Sequence, residues 1–158
     1  MARLSNIVLH CSDSEFGSAA MIRKWHLLRG WSDVGYHRVI KNGWPTHGMF
    51  VPSEDGAIEC GRDLDGDNYI VGSEVGAHTL GYNTTSIGIC LIGKELFTVA
   101  QIASAMSLIN DLRDRYGIHI RNIYGHYETE KAGGKTCPNI DMDHFRYMLE
   151  LTDIRQPV

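Results

Sequence analysis

The chain has 158 residues, of which 43% are hydrophobic and 22% are charged, and it contains only four prolines. These values exclude a disordered chain and allow one domain, residues 1–158, with a sizeable core. A formal net charge of −4 and a pI near 6.0 exclude the broad basic surface of nucleic-acid binders, so we expect no nucleic-acid partner.

Hydrophobic periodicity predicts eight elements in the order β-α-β-β-β-α-β-α, which indicates an α/β fold with a mixed central β-sheet flanked by helices. The best-marked helix begins with the capping box from Thr98 to Gln101 and ends at Gly117. In the first helix we expect Met21, Ile22, Trp25 and Leu28 to face the core. Strands are expected at 7–9, 34–41, 57–60, 85–92 and 121–124, and the other helices at 18–29 and 141–151.

Several polar residues have plain structural interpretations. Cys90 lies in an apolar run and is expected to be buried, whereas Cys11 and Cys60 are expected to be surface thiols. Asp63, Asp65 and Asp67 have the spacing of a calcium loop, but the glycine position and the missing terminal Glu favour a solvated turn. Three histidines, His26, His119 and His144, are interpreted as surface or helix residues.

One stretch near the C-terminus, residues 123–139, carries candidate metal ligands. His126 and Cys137 lie within twelve positions of each other, around a Gly133-Gly134 pair. Imidazole and thiolate are ligands that zinc prefers, and a catalytic zinc needs three protein ligands and one open position for water. His10, at the end of the first predicted strand, is the third candidate, because ligands gather at such strand ends.

The alternatives at these positions remain open from the residues alone. His10, His126 and Cys137 could be satisfied core or surface residues. A structural zinc would need a fourth ligand, and Cys11, which is adjacent in sequence, should point away from His10 if the strand continues.

A zinc ion at these ligands would favour hydrolysis of an amide. Bound zinc lowers the pKa of a coordinated water toward about 7, and attack on a carbonyl then needs a donor beside the developing oxyanion. Lys135, two residues before Cys137, could supply an ammonium, and Tyr36 could supply a hydroxyl. The plainer interpretations are a solvated loop lysine and a core tyrosine.

Five motifs resemble the zinc-dependent N-acetylmuramoyl-L-alanine amidases, the family of phage amidases and peptidoglycan-recognition proteins. The resemblance runs from about Ile7 to about Phe145 and assigns His10, His126 and Cys137 as metal ligands, with Tyr36 and Lys135 required for hydrolysis. It also places His37, His78, Thr79 and Asn83 in the substrate groove, although Asn83 could be a turn residue and His78 a loop donor. The motifs are LHCS (9–12), GWSDVGYH (30–37), GAHTLGYNTTSIGICLIG (76–93), YGHYE (124–128) and GGKTCP (133–138).

This resemblance implies a phage-type endolysin that cuts the amide between N-acetylmuramic acid and L-alanine of bacterial peptidoglycan. The alternative is a non-catalytic module that binds peptidoglycan, but such relatives lose the thiolate position that Cys137 fills here. The first eleven residues contain no apolar run of signal-peptide length. We therefore expect a monomer without membrane insertion, made in the host cytoplasm and acting on the cell wall after release.

Two segments, 42–55 and 64–75, are longer than their counterparts in the phage relatives. The first contains the aromatic residues Trp44 and Phe50 and two prolines, Pro45 and Pro52. Long loops in compact domains are more often functional than idle. One hypothesis is that Trp44 forms a wall of the glycan groove; the other is that the aromatic residues cover the edge of the core.

Overall fold

The computed structural model describes residues 2–153, which form five strands and three α-helices in the predicted order. Four short 3₁₀ turns lie between them, at Pro52–Glu54, Gly72–Glu74, Ile120–Asn122 and His126–Glu128. The strands are β1 (Asn6–Cys11), β2 (Arg38–Asn42), β3 (Asp55–Cys60), β4 (Ser86–Leu91) and β5 (Ile123–Gly125), and the helices are α1 (Ala19–Leu28), α2 (Val99–Tyr116) and α3 (Met142–Thr152).

The strands form one sheet in the order β3-β2-β4-β1-β5. β2, β4, β1 and β5 run parallel, and β3 is antiparallel to β2. The sheet is therefore mixed, and the predicted fold class is confirmed. Because four strands are parallel, their carboxyl ends meet at one edge, where open α/β sheets bind ligands.

Alternation along the strands divides the core between the two faces of the sheet. Ile7 and Leu9 of β1 belong to a large apolar cluster with residues of α2 and α3. Val39 of β2 and Cys90 of β4 belong to a smaller cluster with Ala19 and Ile22 of α1. Helices α2 and α3 thus cover one face, and α1 covers the other.

The predicted helix signals are confirmed. Thr98 caps α2 by accepting a hydrogen bond from the Gln101 amide, and Gly117 ends the helix in the left-handed conformation with φ 67°. Ser18 and Asp141 cap α1 and α3 in the same way. Each cap satisfies an amide that the first turn of a helix leaves unpaired.

Two predictions were wrong in the region of α1. The strand expected at 34–41 begins only at Arg38, because backbone groups before it pair elsewhere: the Gly35 amide donates to His26 Nδ1 at 2.9 Å, and the Val34 carbonyl accepts from Arg62 Nε at 2.8 Å. Leu28 does not face the core, since 78% of it is exposed, and His26 occupies the inward position instead.

The acidic stretch near Asp65 is the predicted turn. Asp65 accepts a hydrogen bond from the Asp67 amide, and Asp67 accepts one from the Tyr69 amide, each two residues further on. Such bonds are the ordinary task of Asp in turns. Within residues 2–153, no helix has both the length and the apolar character that crossing a membrane requires.

Candidate metal centre

His10 reaches the site through the alternation of β1. Leu9 faces the cluster under α2 and α3, so His10 faces the α1 side of the sheet. It is the next-to-last residue of β1 and therefore lies at the carboxyl edge, where it is 1% exposed.

His126 and Cys137 arrive from the neighbouring strand. β5 pairs with β1 and ends at Gly125, opposite Leu9, so the next residue, His126, lies beside His10. The Gly125 amide donates to Glu128 Oε2 at 2.9 Å, which fixes the 3₁₀ turn that His126 begins. The Tyr127 amide donates to the Cys137 carbonyl at 2.9 Å, and this bond brings the loop back to the turn.

The three side chains form a group that could hold a metal ion. One ligand atom from each of His10, His126 and Cys137 lies within 4.8 Å of the others, and His10 Nδ1 is 3.9 Å from Cys137 Sγ. Tetrahedral zinc holds such donors about 3.5 Å apart, so small side-chain movements would complete the coordination. Among the residues that the structure describes, this is the one such group of three or more His, Cys, Asp or Glu side chains.

The surroundings keep the imidazoles neutral, which is the form that binds metals. Burial holds the pKa of His10 well below its usual value, and nearby His78, His126 and Lys135 lower it further. Burial also lowers the pKa of His126, again with a contribution from Lys135. Both rings therefore offer a nitrogen lone pair at neutral pH.

Cys11 differs from the sequence-based expectation of a surface thiol. It is buried rather than a surface thiol, at 8% exposure, and its amide donates to Cys137 Sγ at 3.3 Å. A hydrogen bond between the two thiols lowers the pKa of Cys11 to about 7 and raises that of Cys137, so the pair loses one proton readily and the second reluctantly. Cys11 is not part of the three-residue group, although it adjoins one of its members.

His78 and Thr79 hold the far side of the His10 ring. His10 Nε2 lies 3.2 Å from Thr79 Oγ1 and 3.1 Å from His78 Nδ1, and Thr79 Oγ1 is 2.9 Å from His78 Nδ1. An Nε2–H on His10 can therefore donate to the Thr79 hydroxyl, which donates in turn to His78. This leaves His10 Nδ1, the atom nearest Cys137, free for a metal.

Glycine makes room for this arrangement. A Cβ at Gly88 would lie 2.6 Å from Cγ of His78, and one at Gly76 would lie 2.7 Å from Cδ2 of the same ring. Both distances are too short for any larger residue. Burial, with His37 as the next contribution, lowers the pKa of His78 to about 3, so this ring stays a neutral hydrogen-bonding partner.

Asn83 fixes the loop that carries these two residues. Its Oδ1 accepts hydrogen bonds from the amides of His78 and Thr79, both at 2.9 Å. His78 is 8% exposed and Thr79 is 2% exposed, so little of either side chain faces the cavity. The geometry gives all three residues a positioning task behind His10, which the resemblance had not indicated.

His37 lies deeper and has a different task from the expected contact with substrate. It has no exposed surface, its Nε2 donates to the Glu74 carbonyl at 2.8 Å, and its Nδ1 accepts from the Gly88 amide at 2.9 Å. Burial lowers its pKa to about 4. With both ring nitrogens bonded inside the protein, His37 joins β4 to the 72–74 turn and does not reach the cavity.

Tyr36 and Lys135 line an open cavity of about 620 Å³ with the three candidate ligands. The Tyr36 ring centroid lies 5.1 Å from that of His10. Burial raises the pKa of Tyr36 well above 10, so its hydroxyl remains a hydrogen-bond donor at neutral pH. Lys135 is exposed at the rim of the cavity, close enough for its charge to lower the pKa of both His10 and His126.

Three further residues of this cavity were missed from the sequence. His26, Arg29 and Trp31 line it on the α1 side. His26 is only 5% exposed, and its ring centroid is 4.4 Å from that of Trp31. A signal was present, because His26 lies four residues after Ile22 and therefore on the same inward face of α1.

The geometry agrees with comparisons to known proteins. Residues 1–140 match the family model described as N-acetylmuramoyl-L-alanine amidase. The chain is 36% identical over 148 residues to the endolysin of Escherichia phage T7 (86% of this chain, 81% of the relative) and 33% identical over 149 residues to that of Klebsiella phage KP32 (87% and 82%). It is also 32% identical over 126 residues to peptidoglycan-recognition protein SC2 of Drosophila melanogaster (77% and 56%).

The fold has solved counterparts. The chain resembles the N-acetylmuramoyl-L-alanine amidase LysC from Clostridium intestinale URNW with a TM-score of 0.72 and 24% identity, over 94% of this chain and 87% of that one. At that identity the likeness concerns the fold. The match to the family model and the identity to the phage proteins carry the assignment, and the chain belongs to the N-acetylmuramoyl-L-alanine amidase family.

Proposed function

We propose that the chain is an endolysin that hydrolyses the amide between N-acetylmuramic acid and L-alanine of bacterial peptidoglycan, with Zn²⁺ held by His10, His126 and Cys137. The observation that carries the proposal is the convergence of these three ligand atoms, within 4.8 Å of one another, in a chain of the amidase family. The endolysins of phages T7 and KP32 are relatives over more than four-fifths of their length.

The donor set fits a catalytic zinc better than a structural one. Two neutral imidazoles and one thiolate are the ligands that zinc prefers, and three protein ligands leave one position open. When bound, zinc supplies a water of lowered pKa and polarises the carbonyl oxygen. Thr79 and His78, through their contacts with Nε2, would leave His10 Nδ1 available to hold the ion.

Tyr36 and Lys135 are the residues that would act on the scissile amide. As the carbonyl carbon becomes tetrahedral, its oxygen gains negative charge and needs donors that are already in place. The Tyr36 hydroxyl remains protonated because burial raises its pKa, and the Lys135 ammonium stands at the cavity rim. Both lie in the same cavity as the ligands, so neither needs a rearrangement of the fold to reach the substrate.

The substrate surface follows from the charges of the cavity. Arg29 and Trp31 line its α1 side, so a carboxylate of the stem peptide and the apolar part of a residue can both be bound there. The protein would act on the wall after release from the cell that makes it, as a monomer.

The second candidate function is a peptidoglycan-binding module without hydrolysis. The sequence identity to peptidoglycan-recognition protein SC2 favours this candidate, because a protein that only binds peptidoglycan can use the same groove as one that cleaves it. The presence of Cys137 beside two histidines favours hydrolysis, because a thiolate at that place has no use in binding a neutral sugar.

Digestion of purified sacculi, followed by mass spectrometry of the products, tests this proposal. We expect free stem peptides that begin with L-alanine, loss of this product after chelation, and recovery on addition of Zn²⁺. Undiminished release by metal-free protein, or cleavage between sugars, would overturn the mechanism.

Two variants separate chemistry from binding. Lys135→Ala and Tyr36→Phe should each lower kcat by roughly 10²–10³ while zinc content and peptidoglycan binding remain. Lys131, an exposed lysine of the same loop that does not line the cavity, gives the control Lys131→Ala with unchanged kcat. Loss of zinc in the Tyr36 or Lys135 variant would contradict the assigned roles.

A further inference from the structure

The loop after β2 presents an aromatic surface beside the candidate metal centre. Trp44 is 39% exposed and Phe50 is 47% exposed, and their ring centroids lie 5.3 Å apart. Neither residue belongs to the two clusters of buried apolar residues found among residues 2–153. Both rings therefore keep an apolar surface that a ligand could cover.

The loop is held in place by its own bonds. The Trp44 carbonyl accepts from the Gly17 amide at 2.9 Å, and the Val51 amide donates to the Gly43 carbonyl at 2.7 Å. Gly43 has φ +81°, and a Cβ there would collide with the Phe50 ring. Because backbone bonds fix both ends, the Trp44–Phe50 pair is a preformed surface that needs little ordering to bind a ligand.

Trp44 stands between two cavities. One, of about 560 Å³, extends toward Leu96 and Phe97. The other, of about 370 Å³, extends toward Phe16 and His47. Trp44 and Glu15 line both, so a chain molecule passing from one cavity to the other would cross the indole.

This surface adjoins the metal centre. Both lie at the carboxyl edge of the sheet, after β1, β2 and β4. Asn139, which lines the cavity of the metal centre, donates from Nδ2 to the Lys94 carbonyl at 2.7 Å, and Lys94 lines the larger cavity beside Trp44. Ser12 of the metal-centre cavity is likewise joined to Gly93 of the other by a hydrogen bond of 3.0 Å.

The charges distinguish the two ends of this edge of the sheet. The Trp44 end carries Glu15, Glu95 and Lys94, a net charge near −1, whereas the metal-centre end carries Arg29, Lys135 and Asp13, a net charge near +1. A stem peptide bears free carboxylates, which Glu15 and Glu95 would repel. A glycan strand whose lactyl groups are amidated is uncharged, with apolar C–H faces for an indole and hydroxyls for carboxylates and amides.

We propose that Trp44, with Phe50 behind it, forms a glycan subsite that binds sugar units beyond the N-acetylmuramic acid whose amide is cut. The inference rests on the proposed function, since it uses peptidoglycan as the substrate. It assigns the glycan to the Trp44 end of the groove and the stem peptide to the Arg29 end.

Binding can be tested without hydrolysis. Chitooligosaccharides, which are uncharged oligomers of N-acetylglucosamine, are titrated into the wild-type protein and followed by the indole N–H signals in NMR. The chain has three tryptophans, at 25, 31 and 44. We expect the Trp44 signal to shift and the Trp25 signal to remain; an unchanged Trp44 signal at saturation would overturn the proposal.

Variants give the second measurement. Trp44→Ala should weaken binding of the chitooligosaccharides by roughly tenfold, and Trp44→Phe should restore most of it. Tyr147→Ala is the matched control, because Tyr147 is 56% exposed on α3 and lines none of these cavities. Equal affinity of Trp44→Ala and wild type, or displacement of the glycan by free stem peptide, would contradict the assignment.

Kinetics separate this inference from the proposed function. Trp44→Ala should lower kcat/KM on long-strand peptidoglycan about tenfold and leave that on a muramyl dipeptide, which has one sugar, unchanged. Equal losses on both substrates would place Trp44 in the catalytic site and overturn the subsite. If the wild type cut neither substrate, the proposed function would fail while the binding measurement would still decide about the glycan.

Discussion

The two faces of the central sheet use alternate residues of the same strands for different purposes. Toward α2 and α3, β1 presents Ile7 and Leu9, both fully buried in the larger apolar cluster. Toward α1, the same strand presents Val8 and His10. β4 repeats the contrast, with Ile89 on the first face and Gly88 on the second.

The second face is more polar and leaves room for buried polar side chains, and its apolar cluster is smaller. Gly88 leaves room for the His78 ring, and the bonds from Thr79 and Asn83 occupy the place where apolar packing would otherwise be. One face therefore supplies most of the burial, and the other supplies the chemistry. Substitutions at adjacent residues of one strand should therefore have different effects, one on stability and the other on activity.

The largest expected effects test this contrast with one candidate ligand and one core residue of β1. Cys137→Ser should abolish metal binding and lower amidase activity by a factor on the order of 10³ or more, because the ion contributes several kcal/mol to transition-state stabilisation. Leu9→Ala should do the opposite: it should lower the free energy of unfolding by about 2–5 kcal/mol while the folded fraction keeps its activity. Zinc content, activity and denaturant unfolding are measured on both proteins.

A Cys137→Ser protein that still binds zinc and is active would show that Cys137 is not a metal ligand. Loss of zinc in Leu9→Ala under native conditions would show that the faces are coupled more strongly than the structure indicates. Leu9→Ile, which keeps most of the buried volume, serves as the control for cavity formation.

Much of the first face was predictable from the sequence because its signals are local and periodic. The capping residues Thr98 and Gln101 and the terminator Gly117 gave the bounds of α2 correctly. The buried residues of α3, Met142, Phe145 and Leu149, follow helical spacing in the same way.

The second face was predicted less completely, and the reason is physical. That His10 ends a strand can be inferred from the apolar run before it, but its partner Thr79 lies 69 positions away, and only the fold brings them within 3.2 Å. His37 was expected in the groove because the family resemblance places it there. Its burial depends on where β2 begins, which bonds to distant groups decide.

The next expected effect concerns the acid sensitivity of the polar face. Burial lowers the pKa of His37 to about 4, below about 6.5 in an unfolded chain. Between these values the unfolded state binds more protons, so stability falls as pH drops from about 6.5 toward 4 and is constant above that window. This residue alone should contribute a loss of about 3 kcal/mol.

The hydrogen bond at Nδ1 is consistent with a ring that stays neutral. Nδ1 accepts from the Gly88 amide, so a proton on Nδ1 would face an N–H group. Denaturant unfolding of metal-free protein, from pH 7 to 4.5, should show a shallower pH dependence for His37→Gln than for wild type. Parallel curves for the two proteins would mean that His37 binds a proton as readily in the folded state as in the unfolded state.

The smallest expected effect tests whether Thr79 acts on the metal through His10. Thr79→Val keeps the shape of the side chain but removes the hydroxyl that lies 3.2 Å from His10 Nε2 and 2.9 Å from His78 Nδ1. Loss of such a partner typically lowers metal affinity by roughly 10–100-fold, because the ring is less well oriented and less basic. Competition with a chelator of known affinity should give this decrease, whereas kcat at saturating Zn²⁺ should stay within a few-fold of wild type.

Thr79→Ser restores the hydroxyl and should restore the affinity. A lower Tm with unchanged zinc affinity would instead mean that Thr79 supports only the loop fixed by Asn83.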